Sequence, residues 1–216
     1  MNALDQETAK LIGALACNMP SLTAREIAEW NHNPVGLRKF LTGLKSELQL
    51  PKEAKPGEVW KTITLGIGFK TSSEFAAACE YACDEMVIHC DNLMDQRGFT
   101  VSPSRRQVDL TIYSVAELGF ESGADLNEIY KKAIERGLEL CPAEVGPQLR
   151  LRYINQPVGE WLRIAMKAID DSDRRLRIFT LMRDGEKRKL IASRGEGGCS
   201  FRSQDRFVFV KPRKAA

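Results

Sequence analysis

Arginine and aromatic residues alternate with aliphatic residues in the last third of the chain. In residues 149–154, Arg150 and Arg152 occupy every second position and apolar residues fill the others, which is the period of a half-buried β-strand. The outward positions of the next two predicted strands hold Trp161, Arg163, Arg175, Arg177 and Phe179. Guanidinium groups bind phosphates, and aromatic rings stack on nucleic-acid bases. The pattern predicts a basic sheet face that binds single-stranded nucleic acid.

The wet face of an ordinary antiparallel sheet also accounts for these residues without a ligand. The charge distribution is compatible with a binding role and also with a soluble surface. Residues 1–147 carry 15 Lys and Arg against 21 Asp and Glu, whereas residues 148–216 carry 17 against 8. A cationic segment attracts nucleic acid or an acidic partner protein. We therefore predict a non-catalytic binding module for single-stranded nucleic acid, with a module that docks an acidic protein as the alternative.

A second group of residues can support hydrolase chemistry. Cys141 and Glu144 lie between a predicted helix and a predicted strand, and Glu160 begins the next strand. A nucleophilic cysteine needs a base or a cation beside it, and a pair of carboxylates can transfer protons. The two histidines, His32 and His89, belong to other predicted helices. An enzyme with these three candidate catalytic residues, centred on Cys141 and Glu144, is therefore the third hypothesis.

Three cysteines, Cys79, Cys83 and Cys90, fall on one predicted helix. Thiolates bind zinc, but these residues share their stripe with Phe75 and Leu93, and cysteine often packs as a small buried apolar residue. We therefore predict core packing and no metal site. The six scattered cysteines of a chain this long predict free thiols in a reducing compartment.

Neither glycine-rich segment has a nucleotide-binding pattern. Residues 66–68 and 195–198 lack the lysine and hydroxyl of a P-loop and the strand-to-helix setting of a dinucleotide site, so no cofactor is predicted. Residues 1–20 lack the pattern of a signal peptide, and no apolar run approaches the ~20 residues that span a bilayer. We expect a cytoplasmic protein that does not associate with membranes.

The predicted elements divide the chain into two domains. Apolar residues at helical spacing predict a helical bundle in residues 1–51. Residues 58–216 form the second predicted domain, with an extended segment at 59–69. Capping-box pairs predict one long helix from Ser72 to about Gln96 and another from Asp125 to Gly137.

Alternation with a period of two predicts strands at residues 108–115, 149–154, 160–169, 176–182, 187–193 and 206–211. The predicted fold class is α+β. In this prediction, a helical N-terminal bundle and a long helix precede a C-terminal antiparallel sheet or small barrel at about residues 149–211.

The segments that carry a family resemblance are VWKTITLGIGFKTSSEF at residues 59–75, VDLTIYSVAELGF at 108–120, GLELCPAEVGPQLRLRY at 137–153, QPVGEWLRIAM at 156–166 and FVFVKPRK at 207–214. They resemble an uncharacterised bacterial protein family, and the likeness covers most of residues 59–214. That family has no established activity, so the resemblance implies no catalytic or binding residue.

Overall fold

The computed structural model describes residues 55–82, 93–185 and 187–213, together with Asn33. The chain divides into two units, Met1–Leu50 and Pro51–Ala216, and the described residues other than Asn33 belong to the second. The predicted helical bundle of residues 1–51 lies outside the described residues. So do Cys83 and Cys90.

The described residues form nine strands and three helices. Their bounds are β1 Lys61–Leu65, α1 Ser72–Ala82, β2 Arg106–Ser114, β3 Ala124–Asp125, α2 Leu126–Glu135, α3 Val145–Arg152, β4 Trp161–Ile164, β5 Ile169–Asp170, β6 Leu176–Asp184, β7 Lys187–Arg194, β8 Ser200–Phe201 and β9 Arg206–Lys211. Seven strands belong to one sheet, and β3 pairs with β8 in a separate two-stranded ribbon.

The large sheet is mixed and curls into a half-barrel. Its strand order is β1-β2-β9-β4-β6-β5, with β7 also paired to β6. Since β7 runs along one edge of β6 from Arg177 to Asp184, β4 and β5 share the other edge. β4 and β9 pair in parallel, with Leu162 beside Arg206. The prediction of an antiparallel sheet at about residues 149–211 is therefore wrong, because one pair is parallel and β1 and β2 precede this range.

Both faces of the central strands are covered. Residues 207–210 of β9 are all buried, as expected for a continuous apolar run rather than an alternating one. On one face, the ring of Tyr130 in α2 contacts Phe207. On the other face, the ring of Phe99 contacts Phe179 of β6. The predicted wet sheet face is therefore absent at Phe207 and Phe179, although Trp161 at the start of β4 is exposed.

The predicted helix at residues 125–137 is confirmed as α2. Asp125 accepts a hydrogen bond from the backbone N–H of Glu128 at 2.9 Å, and the Glu128 carboxylate accepts one from the Asp125 N–H at 3.0 Å. These reciprocal bonds form the capping box that the spacing predicts. Gly137 follows the helix at a φ of 76°, a conformation that glycine adopts without strain.

The predicted long helix is wrong in its extent. α1 begins at Ser72, after Thr71, whose hydroxyl accepts a hydrogen bond from the Glu74 N–H at 3.2 Å. Residues 83–92 lie outside the described residues, Leu93 and Met94 are helical, and Asp95 and Gln96, at the predicted end of the helix, form a turn and a bend. The predicted fold class, in which an N-terminal bundle and a long helix precede an antiparallel sheet, is therefore wrong. The described part of the chain forms a mixed sheet with three short helices.

The predicted strand at residues 149–154 is also wrong, because residues 149–152 belong to α3 and residues 153–154 follow it outside any strand. Residues 145–150 are all buried, so the helix has no polar face to reveal a period of 3.6. Its Leu-Arg-Leu-Arg order instead resembles a strand. Gly146 lies against β6, where an added Cβ would be 2.8 Å from the Phe179 side chain.

This close contact predicts that Gly146→Ala lowers the free energy of unfolding by about 1 to 3 kcal/mol, because overpacking outweighs the helix propensity gained by alanine. The matched control is Gly198→Ala, whose added methyl group would meet no atom within 4 Å. It should change the free energy by less than about 0.5 kcal/mol. Urea unfolding of both variants measures the difference, and equal stabilities would contradict the packing of α3 on β6.

Candidate functional site

Three of the predicted site arginines converge on one open cavity. The cavity has a volume of about 1100 Å³ and is lined by Arg163, Arg175, Arg177, Ser193, Arg194, Glu196, Gly198, Cys199, Ser200, Phe201, Arg202 and Asp205. We name it the arginine cleft. Its lining contains five arginines and two carboxylates, and therefore three positive charges in excess.

The hairpin of β6 and β7 places two of these arginines side by side. Arg177 lies directly opposite Arg194 in the antiparallel register. Like charges at directly opposed positions of a sheet destabilise it. Arg177 has a compensating ion pair, with Nε 2.8 Å from an oxygen of Asp171. Arg194 forms no ion pair with any carboxylate in the described residues, although its charge helps lower the pKa of Glu196.

The other arginines are paired to different extents. Arg163 lies 3.2 Å from Asp205 and is mostly buried, whereas Arg175 is exposed and its distance to Asp173 is 3.8 Å. Exposed pairs of the second kind contribute little stability. Arg202 forms no ion pair within the described part of the chain. The cleft thus combines arginines held in place with arginines available to a ligand.

Arg163 is fixed by aromatic rings as well as by its ion pair. Its guanidinium lies 5.0 Å from the centroid of Phe201 and 5.9 Å from that of Phe207, distances at which a cation is attracted to a ring face. Burial lowers the pKa of Arg163 and Asp205 opposes this shift, but arginine remains charged in proteins. Its cross-strand neighbour Thr180 is buried, and the Thr180 hydroxyl has no hydrogen-bond partner among the described residues.

The loop on one side of the cleft is held by the start of α2. The N–H groups of Leu126 and Asn127 donate to the carbonyls of Cys199 and Gly197 at 3.1 and 3.3 Å. A Cβ at Gly197 would lie 2.3 Å from the Asn127 side chain, so the loop packs closely against the start of α2. The loop is therefore positioned by backbone contacts rather than by the arginines.

Cys199 in the cleft is a hydrogen-bond donor rather than a nucleophile. Its thiol donates to Glu196 at 3.1 Å. This bond is the main cause that lowers the pKa of Glu196. Burial, followed by the bond to Glu196, raises the pKa of Cys199. The thiolate that nucleophilic chemistry requires is therefore disfavoured.

Trp161 and Phe179, the two predicted aromatic site residues, lie on opposite faces of the sheet. Directly paired residues on neighbouring strands point to the same face of the sheet, so Arg163 and Thr180 share a face. Trp161, two residues before Arg163, is on the same side and is 44% exposed. Phe179, next to Thr180, points the other way and is fully buried. The prediction that placed both aromatic residues on one face is wrong.

The remaining two predicted arginines lie outside the cleft. Arg150 is buried in α3, and its guanidinium donates to the Gln156 side chain and to the Tyr153 carbonyl. Arg152 donates to the carbonyl and the side chain of Gln148, one turn earlier. Neither belongs to a strand, so the predicted row of arginines across neighbouring strands does not form.

Cys141 is placed where it cannot act as a nucleophile. It is buried, its thiol donates to the carbonyl of Val208 at 3.3 Å, and burial raises its pKa strongly. The described residues place no histidine beside it. Cys79, Cys141 and Cys199 are all free thiols, and Cys79 packs in the core as predicted.

The two candidate carboxylates have separate structural roles. Glu144 is fully buried, and its two oxygens accept hydrogen bonds from the backbone N–H groups of Gly66 and Ser102, each at 2.8 Å. Glu160 accepts hydrogen bonds from the Tyr153 hydroxyl at 2.9 Å and from Arg206 at 2.8 Å. Burial raises the pKa of Glu160. The structure therefore does not bring Cys141, Glu144 and Glu160 together as a catalytic group.

Two arginines of the cleft, Arg194 and Arg202, were not predicted. The predicted turn at Asp184-Gly185 would place residue 192 opposite Arg177, whereas the observed register pairs Asp184 with Lys187 and brings Arg194 to that position. Arg202 lies in a loop, where no period indicates its direction. Among the described residues, no three His, Cys, Asp or Glu side chains are grouped as a metal site would require, and no described helix has the length and apolar character to span a bilayer.

The hydrogen bonds of Glu144 predict that Glu144→Gln destabilises the fold by about 1 to 3 kcal/mol, because an amide cannot accept from both buried N–H groups. Glu139→Gln, at an exposed position, is the matched control and should remain within about 0.5 kcal/mol of the parent. Denaturant unfolding measures both. A Glu144 variant as stable as the control would show that the carboxylate does not hold these segments.

Comparison of the chain with protein-family models, with curated proteins and with solved structures finds no match. The family resemblance of residues 59–214 stays a prediction.

Proposed function

We propose that the second unit of the chain is a non-catalytic module that binds single-stranded nucleic acid, with the phosphate backbone held in the arginine cleft. The observation that carries the proposal is the convergence of five arginines on one open cavity. A guanidinium presents two parallel N–H donors to a phosphate and keeps its charge when partly buried. Arg194 and Arg202, which have no carboxylate partner in the described chain, are the best placed to neutralise phosphates.

Electrostatic strain within the cleft supports an anionic ligand. Arg177 and Arg194 face each other across the hairpin, and only Arg177 has its own carboxylate, Asp171. Glu196 already interacts with the charges of both guanidiniums, and a phosphate between them would reduce their repulsion further. The free energy of binding would then include relief of this strain as well as new hydrogen bonds.

Trp161 favours a nucleic acid over an acidic protein as the anionic ligand. At 44% exposure, it is the most exposed aromatic side chain among the described residues. It shares the face of Arg163 and lies about 7 Å from it along β4. A base that is free of a duplex can stack on the indole while its phosphate reaches the cleft. A carboxylate of an acidic protein would bind the arginines but would not stack on the Trp161 ring.

The hydrolase alternative has less support. Cys141 is buried with a raised pKa, and both oxygens of Glu144 are occupied by backbone donors. A catalytic site needs a second titratable group within hydrogen-bond reach of its nucleophile. The described residues supply none to Cys141.

The charge prediction concerns Arg194 and Arg202. Their replacement by glutamine should weaken binding of a mixed single-stranded oligonucleotide and reduce the log-log salt slope by about 1.4, since each lost contact on a single strand contributes about 0.7. The stability of the double variant should not fall, because Arg194 repels Arg177. Fluorescence anisotropy over a salt series measures the slope. Arg105→Gln, an exposed arginine outside the cleft, is the matched control.

Equal losses from the Arg105 control and the cleft variants would contradict the assignment of the cleft. Absence of oligonucleotide binding at low salt would overturn the function itself. Tighter binding of polyglutamate than of the oligonucleotide would instead favour an acidic protein partner.

The stacking prediction concerns Trp161. Trp161→Ala should weaken oligonucleotide binding by about 1 to 3 kcal/mol and leave the salt slope unchanged, because the ring contacts a base and not a phosphate. Quenching of tryptophan fluorescence on binding, lost in the variant, provides a second measurement. Val59→Ala, another exposed apolar position, is the control. A change in salt slope without a loss of affinity would count against stacking.

A further inference from the structure

A second, smaller cationic pocket lies at the other end of α2 from the arginine cleft. Its volume is about 370 Å³, and it is lined by residues 136–138 after the helix, by Gly57 and Tyr113, and by residues 211–213 after β9. The titratable lining groups are Arg136, Lys211, Arg213 and Tyr113, and no carboxylate belongs to the lining.

Two of its cations are held by backbone carbonyls, and one of them, Lys211, also lies opposite Asp109 in the β2–β9 register, where its charge helps lower the pKa of that carboxylate. Lys211 donates to the carbonyl of Gly57, and Arg136 donates to the carbonyl of Glu117 at 2.5 Å. A carbonyl holds a cation in position but leaves its net charge intact. Arg213 differs, because two of its nitrogens bond to Asp109 at 2.8 and 2.9 Å and its charge is compensated.

The geometry of this pocket suits a compact anion. Tyr113 directs its hydroxyl towards Gly57, where an added Cβ would lie 3.1 Å from the hydroxyl oxygen. Gly57 has a φ of 81° and also accepts the bond from Lys211, so the hydroxyl and the ammonium approach the same residue. The N–H groups of Gly137 and Leu138 already bond to the last carbonyls of α2, so these carbonyls are less available to repel an anion.

We infer that this pocket binds a phosphate monoester, with Arg136 and Lys211 as the charged donors and Tyr113 as the neutral one. A phosphate dianion has more acceptors than a carboxylate and matches two fixed cations. The inference does not rest on the proposed function, because the two pockets share no residue. The monoester belongs either to the 5′ end of a strand or to a small phosphorylated molecule.

Titration with inorganic phosphate, followed by amide NMR shifts, tests the pocket. Saturable shifts are expected at Gly57 and Gly137. Arg136→Gln should weaken this binding about ten- to hundredfold, and Tyr113→Phe about two- to tenfold. Arg194→Gln should leave it unchanged. No saturable shift at the two glycines, or an equal loss from Arg194→Gln, would overturn the inference. Arg136→Lys, which keeps the charge, provides a milder variant if the glutamine substitution impairs folding.

Oligonucleotides with a 5′-phosphate or a 5′-hydroxyl distinguish the two sources. Tighter binding of the 5′-phosphorylated strand, lost in Arg136→Gln, would assign the monoester to a strand end. Equal binding of the two strands, with the inorganic phosphate response intact, would assign the pocket to a small phosphorylated molecule. The cleft is monitored separately at Gly197 and Gly198, so failure of the proposed function and failure of this inference give different results.

Discussion

Pairing of the last strand, β9, between β2 and β4 is the constraint on which the rest of the sheet depends. β9 forms six residue pairs with β2 in the antiparallel direction and three with β4 in parallel. Residues 207–210 are buried on both faces, so one short strand supplies apolar surface to both sides of the sheet. Without β9, β2 and β4 would each present an unpaired edge, which costs hydrogen bonds in a buried setting.

The geometry of the arginine cleft depends on the pairing of β9 with β4. Arg163 is beside Phe207 in the β4–β9 register, and the Phe207 ring is one of the two that the guanidinium contacts. Asp205 immediately precedes β9 and forms the ion pair with Arg163. The cleft therefore requires residues near the end of the chain to reach the middle of the sheet, and a local segment cannot form it alone.

Local patterns in the sequence predicted those parts of the fold that local interactions determine. The capping box of α2 and the β6–β7 hairpin around Asp184-Gly185 depend on neighbours within a few residues, and both are present. The α3 segment was misassigned because it is buried around its circumference, and burial by distant strands is not visible in a local period. The face of Phe179 was misassigned for a related reason: the register between β4 and β6 is set across a connection that includes β5, and a shift of one residue moves a side chain to the other face.

The difference between a flat basic sheet and a cleft changes what the module can recognise. A platform with Trp161 and Phe179 on one face would stack two bases and distinguish them by shape. In the observed arrangement Phe179 is in the core, and on the opposite face Trp161 lies beside Met182, with Arg163 two residues along β4. Phosphate contacts fix the position of a strand but carry no sequence information, whereas base contacts carry it. If the proposed function holds, a cleft with five arginines and one neighbouring exposed ring should bind strands with little dependence on sequence, and its selectivity should depend on the flexibility of the strand rather than on the identity of its bases.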